Sequence, residues 1–130
     1  MIILGFVLTV IAGVCKAVMD VLQFHFWKSI FNNSKYKKYF WDPSVSWLNK
    51  YKDFEAQNQI PRYFGSTTFL VWTTDAWHLF QMINNLTLIS GMLLIGFNVE
   101  NWKMLILFGG VGYVVYTTIF ELFYSKVFKK

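Results

Sequence analysis

The chain has one cysteine and little charge, with Asp, Glu, Lys and Arg making up 15% of its 130 residues. A single thiol cannot pair within the chain, so a disulfide scaffold is excluded. Ordinary soluble domains are about 25% charged, and this chain falls well below that. It carries no HExxH, Walker loop, GxSxG or CxxC motif. There is also no internal repeat or low-complexity tail. What fills the sequence instead is apolar: 55% hydrophobic residues and 21% aromatics, including 14 Phe, 7 Tyr and 6 Trp. That content excludes a disordered chain. With a mean hydropathy of +0.39, it points to an integral membrane protein.

Three long apolar segments are candidate membrane spans, about 2–27, 67–97 and 104–124. A spanning helix needs roughly 20 mostly apolar residues, and each segment reaches that length. The fold class expected is therefore all-α, a single membrane domain over 1–130 built as a bundle of three transmembrane helices. Asn84-Asn85 could break the second segment, but its halves would be short for a span, so one helix is expected. No Lys or Arg precedes the first apolar run, and that run outlasts a signal-like length, so it reads as a span rather than a cleaved leader. Cys15 reads as a small buried hydrophobe.

Charge predicts the orientation. The connector 28–66 holds Lys28, Lys35, Lys37, Lys38, Lys50, Lys52 and Arg62 against Asp42, Asp53 and Glu55. The tail 125–130 adds Lys126, Lys129 and Lys130. With three spans these two basic segments share a side, which the positive-inside rule makes cytoplasmic. The expected topology is N-terminus outside and C-terminus in the cytoplasm, as in a bacterial or phage-encoded inner-membrane protein. The net charge of +5 then reads as attraction to anionic lipid headgroups. The positive charge borders the spans, so a nucleic-acid partner is not expected.

The connector is itself unusual. Tyr36, Tyr39, Phe40, Trp41, Trp47, Tyr51, Phe54, Tyr63 and Phe64 alternate with lysines. Asp42-Pro43 is a strong helix start, with Asp as N-cap and Pro at the first helical position. Trp47, Leu48, Tyr51 and Phe54 then share a face, which predicts a short amphipathic helix on the membrane surface. The competing expectation is a loop that packs its aromatics against the bundle. Gly65-Ser66-Thr67-Thr68 is expected to supply turn and capping residues for the second span.

Polar residues inside spans carry the functional information, because Asp or Lys at a helix centre costs about 2.5–3.5 kcal/mol. Gly5, Thr9, Ala12, Lys16, Asp20 and Gln23 share one face of the first span. Thr74, His78, Gln81 and Asn85 form a stripe on the second, with Asp75 beside it. Gly110, Thr117, Glu121 and Tyr124 align on the third. If the stripes point inward, Asp20, Asp75 and Glu121 lie roughly 5–15 Å inside the cytoplasmic boundary. Lys16, Asp20, Asp75, His78 and Glu121 are therefore the candidate catalytic residues, meeting in one layer. His25 sits closer to the surface and off that face.

Three readings of this layer follow. Two Asp, a Glu and a His could hold a divalent metal, the possible cofactor, with Asp20, Asp75, His78 and Glu121 as ligands. They could equally serve as acid–base groups. Lys16 and the connector lysines suit a phosphate, so the sharpest form is a metal-assisted enzyme acting on phosphate-bearing lipid headgroups. A second reading is an oligomeric pore or proton path through Asp20, His78 and Glu121; three spans, an external N-terminus and a basic tail resemble one class of phage holins in layout. A third is a structural or accessory subunit of a membrane complex, in which the charges simply pair. A homo-oligomer or a membrane-complex partner is expected in each case. Gly109-Gly110-x-Gly112 reads as helix packing rather than nucleotide binding. The sequons at Asn32 and Asn85 fall on the cytoplasmic side and within a span, where glycosylation is not expected.

Overall fold

The computed structural model describes residues 1–33 and 38–130; Ser34, Lys35, Tyr36 and Lys37 of the basic, aromatic connector lie outside the described residues. Among the described residues the chain is helical, with no strand beyond isolated bridges. Three helices are long and apolar enough to cross a membrane: Ile2–Lys28, Ala76–Phe97 and Trp102–Phe128. We label the helices α1 (Ile2–His25), α2 (Lys38–Trp41), α3 (Pro43–Ser46), α4 (Ala76–Phe97) and α5 (Trp102–Leu122), the last continuing as a π-helical segment Phe123–Phe128.

The helix α1 is the centre of the bundle. It packs against both α4 and α5, while α4 and α5 touch each other far less. Its buried residues include Gly5, Thr9, Ala12, Gly13, Cys15 and Ala17, all small, which lets neighbouring backbones approach. Gly5 crosses Gly91 so closely that a Cβ on Gly91 would stand 2.8 Å from the Gly5 carbonyl oxygen. Gly13 performs the same service toward α5, where a Cβ would stand 2.8 Å from the Tyr116 carbonyl oxygen. Thr9 keeps its hydroxyl satisfied within α1, donating to the Gly5 carbonyl at 2.9 Å. Gly109 and Gly110, by contrast, face open space, so of the expected glycine packing motif on α5 only Gly112 is buried.

These contacts fix direction. Gly5 meets Gly91 near opposite helix ends, so α1 and α4 are antiparallel. Phe6 meets Phe108 and His25 meets Tyr124, so α1 and α5 run parallel. The chain end returns to the end of α1, with the Lys130 N–H donating to the Lys28 carbonyl at 2.6 Å. The connector and the tail therefore share one face of the bundle, as an odd number of spans requires.

The expected boundaries shift at two places. The second span begins at Ala76, not near residue 67, because Asp75 caps the helix: its carboxylate accepts the His78 backbone N–H at 3.0 Å. Residues 67–74 instead form turns, and Asn84-Asn85 leaves α4 unbroken. The surface helix of the connector lasts one turn only. Asp42 caps it as expected, accepting the Ser44 N–H at 2.9 Å behind Pro43. Beyond Ser46 the chain tightens into 3₁₀ turns, and Asp53 and Phe54 take positive φ, which ends any continuous amphipathic face. Phe31, Phe40 and Trp41 pack inward, with Phe31 stacked on Trp41 at 5.0 Å and Trp41 against Phe80 of α4, while Trp47, Phe54 and Phe64 stay exposed. Val18, Leu22, Phe26 and Ala76 form the core beneath them.

Candidate functional site

The five residues expected to meet in one layer separate into two pairs and a lone carboxylate. Lys16 donates to Asp20 one turn away at 2.5 Å, on the side of α1 that carries Gly13 and faces α5. Asp75 pairs with His78 at the head of α4. Glu121 is exposed on α5 and accepts a hydrogen bond from Ser125. Among the described residues no three of His, Cys, Asp and Glu come close enough to share an ion. His25 joins none of these groups; its ring meets Tyr124.

The reason is rotational. The levels along the bundle agree: counting along α1 from Gly13 and along α4 from Gly91, at one rise per residue, puts Glu121 about level with His78. The faces differ. The buried face of α4 carries Ala76, Asn84, Gly91 and Ile95. His78, Gln81 and Asn85 lie away from it, in an outer groove flanked by Phe69 and Trp72. Thr117 and Glu121 line another outer groove on α5. Only the α1 stripe points inward as expected, and only in its outer half of Gly5, Thr9 and Ala12.

The hydrogen bonds of Asp75 are local to the head of α4. One carboxylate oxygen accepts the His78 backbone N–H. The other accepts the Thr74 hydroxyl at 3.2 Å and faces His78 Nδ1 at 2.7 Å. The carboxylate thus holds both the helix end and the imidazole. Lys16 is engaged by Asp20.

What the fold does build is a cleft of about 270 Å³ where the connector meets the head of α4. Gln23 comes from the end of α1, Pro43, Ser46 and Trp47 from α3 and the turn after it, and Asp75, Trp77 and His78 from α4. Asp75 is 2% exposed, while the His78 side chain keeps 29% of its surface open. A buried carboxylate thus orients a ring that reaches the cleft. Trp77 meets the His78 ring edge-on at 5.1 Å. The connector is tied to this corner by a chain of polar contacts: Arg62 donates to Asn49, and Asn49 donates to the Thr74 carbonyl. Trp47 is held by its indole N–H, which donates to the Ser44 carbonyl at 3.2 Å.

Asp75 and His78 were legible in the sequence as a neighbouring pair. Nothing in their spacing marks Ser46, Trp47 and Trp77 as site residues. The available signal was the Asp42-Pro43 helix start, which sets where Ser46 and Trp47 fall, and Asp75 as an N-cap, which ties the connector's end to α4. No protein-family model matches the chain, and comparison with curated proteins and with solved structures finds no similar protein.

Proposed function

We propose that this multi-pass membrane protein binds a phosphate-bearing lipid headgroup in the connector cleft and acts on it by acid–base chemistry at His78. The observation that carries the reading is the 2.7 Å contact between Asp75 Oδ2 and His78 Nδ1 at the wall of that cleft. An imidazole that donates Nδ1–H to a buried carboxylate keeps Nε2 as the proton acceptor, and its orientation is set before substrate arrives. Asp75 is the positioning residue and His78 the catalytic one.

The chemistry needs no metal ligand from α1 or α5. His78 Nε2 takes the proton of an attacking water as its oxygen bonds to phosphorus, and the phosphorus–oxygen bond to the diacylglycerol breaks, releasing the headgroup with its phosphate. The same ring then returns the proton to the departing alkoxide. Trp47 and Trp77 supply the apolar walls of an interfacial site, where aromatic rings favour the headgroup region. The net charge of +5, with its basic residues concentrated in the connector and tail, favours anionic lipid. This reading sets the cleft on the cytoplasmic side of an inner membrane, with the N-terminus outside.

The test is turnover in nanodiscs of phosphatidylglycerol labelled in the headgroup phosphate. Wild-type protein is expected to release labelled product, and His78→Ala to lose at least about a hundredfold of that rate. Unchanged lipid after prolonged incubation with folded wild-type protein, together with identical lipid profiles in cells expressing wild type and His78→Ala, overturns the proposal.

A further inference from the structure

Two polar stripes on this molecule border outer grooves, and their side-chain hydrogen bonds run only to neighbours on the same helix or at its cap. On α4, His78, Gln81 and Asn85 border an outer groove of about 470 Å³. On α5, Tyr113 is 65% exposed, and Thr117 and Glu121 border a groove of about 480 Å³. Both stripes lie on helices long and apolar enough to span a membrane. Polar and ionisable groups turned toward acyl chains are costly, and such groups face protein or water in membrane proteins. Ser125 satisfies part of the Glu121 carboxylate, and among the described residues no cation pairs with it.

The stripes match each other. Glu121 stands about level with His78, and by the same count Thr117 stands near Gln81 and Tyr113 near Asn85. Glu121 is an acceptor, whereas the Gln81 and Asn85 amides supply donors. An α5–α5 contact about a two-fold axis would set Glu121 against its own copy. An α4–α4 contact would leave Glu121 in lipid. Only the crossed arrangement satisfies both stripes.

We infer that the occupant of the α4 groove is α5 of a second copy of this chain, packed so that Glu121 of one protomer lies within one helical turn of the Gln81 amide of the next. The contact is head-to-tail, so each protomer offers one donor groove and one acceptor ridge, and the assembly extends beyond a dimer. The α4 and α5 helices of neighbouring copies run antiparallel within it. His78 borders both this groove and the connector cleft, but the interface is read by cross-linking and assembly and the cleft by turnover, so either proposal can fail alone.

The experiment replaces the native thiol, Cys15→Ala, and adds Met82→Cys and Thr118→Cys, which flank the stripes without removing them. Oxidation in native membranes is expected to give a ladder of dimers and larger species from the double-cysteine chain, and monomer from either single cysteine. A dimer from Thr118→Cys alone would reveal an α5–α5 interface and overturn the inference. So would monomer from the double-cysteine chain, whether lipid or another protein fills the groove. As a second measurement, Glu121→Leu is expected to need at least about tenfold more protein per lipid to assemble, read by single-molecule photobleaching in vesicles. Unchanged assembly of that variant contradicts the role given to Glu121.

Discussion

Replacing Gly91 by alanine probes the helix crossing on which the bundle depends. The added Cβ would stand 2.8 Å from the Gly5 carbonyl oxygen, 3.2 Å from Thr9 Oγ1 and 3.3 Å from Leu8 Cβ. The first of these is backbone, which cannot rotate away as a flexible side chain could. The α1 and α4 backbones must separate locally, loosening the contacts beside the crossing. Overpacking of this kind costs about 1–3 kcal/mol. Alanine's better helix propensity returns about 0.5–1 kcal/mol, so a net loss of up to about 2.5 kcal/mol is expected. The matched control is Gly109→Ala, where an added Cβ meets nothing within 4 Å. That variant is expected to be neutral or about 0.5 kcal/mol more stable. Unfolding of the purified protein in mixed micelles, titrated with SDS and followed by tryptophan fluorescence, measures both. Equal stability of Gly91→Ala and Gly109→Ala would refute the close crossing. The double variant Gly5→Ala/Gly91→Ala is expected to cost less than the sum of the singles, because both press on one contact.

Further outcomes follow from individual side chains. Asn84 is 8% exposed and its Oδ1 has no hydrogen-bond partner, so Asn84→Leu is expected to leave stability unchanged or raise it by up to about 1 kcal/mol in the same titration. Asp75→Ala removes the cap of α4 and is expected to cost about 1 kcal/mol, while Asp75→Asn keeps a capping acceptor and is expected to stay within a few tenths of wild type. Both variants lose the carboxylate that orients His78, so both are expected to lower headgroup turnover; turnover that follows stability rather than the carboxylate contradicts the positioning role. A reporter fused after Lys130 is expected to report a cytoplasmic C-terminus, and an external signal there reverses the proposed topology.

The architecture was legible because it follows from apolar length. Three segments long enough to cross a bilayer gave three helices, and the small residues Gly5, Thr9 and Ala12 marked the face of α1 that others approach. Hydropathy starts α4 too early because it does not register a cap. Trp72 continues the apolar run that begins near Thr67, yet Asp75 closes the helix end by accepting the His78 N–H. The connector helix was overextended because facial periodicity persisted where the backbone did not; positive φ at Asp53 and Phe54 breaks it.

The candidate site was half legible. Its chemical pair, Asp75 and His78, is local and visible in sequence spacing. Its walls come from α1, the connector and α4, a convergence that sequence spacing does not encode. The expected convergence of Asp20, Asp75 and Glu121 failed because each stripe was assigned to the interior by its polarity alone. In the fold α1 alone occupies the centre, so α4 and α5 each have only one face to give it. Polar residues on their remaining faces line outer grooves.

Labelling with a phospholipid that carries a photo-reactive group in its headgroup tests the cleft most directly. After irradiation in an anionic bilayer and proteolysis, adducts are expected on Trp47 and Trp77, which line the cleft with His78, and are expected to fall sharply when Trp47 is replaced by Ala. Adducts confined to α5, with none at Trp47 or Trp77, would contradict a headgroup site between the connector and the head of α4.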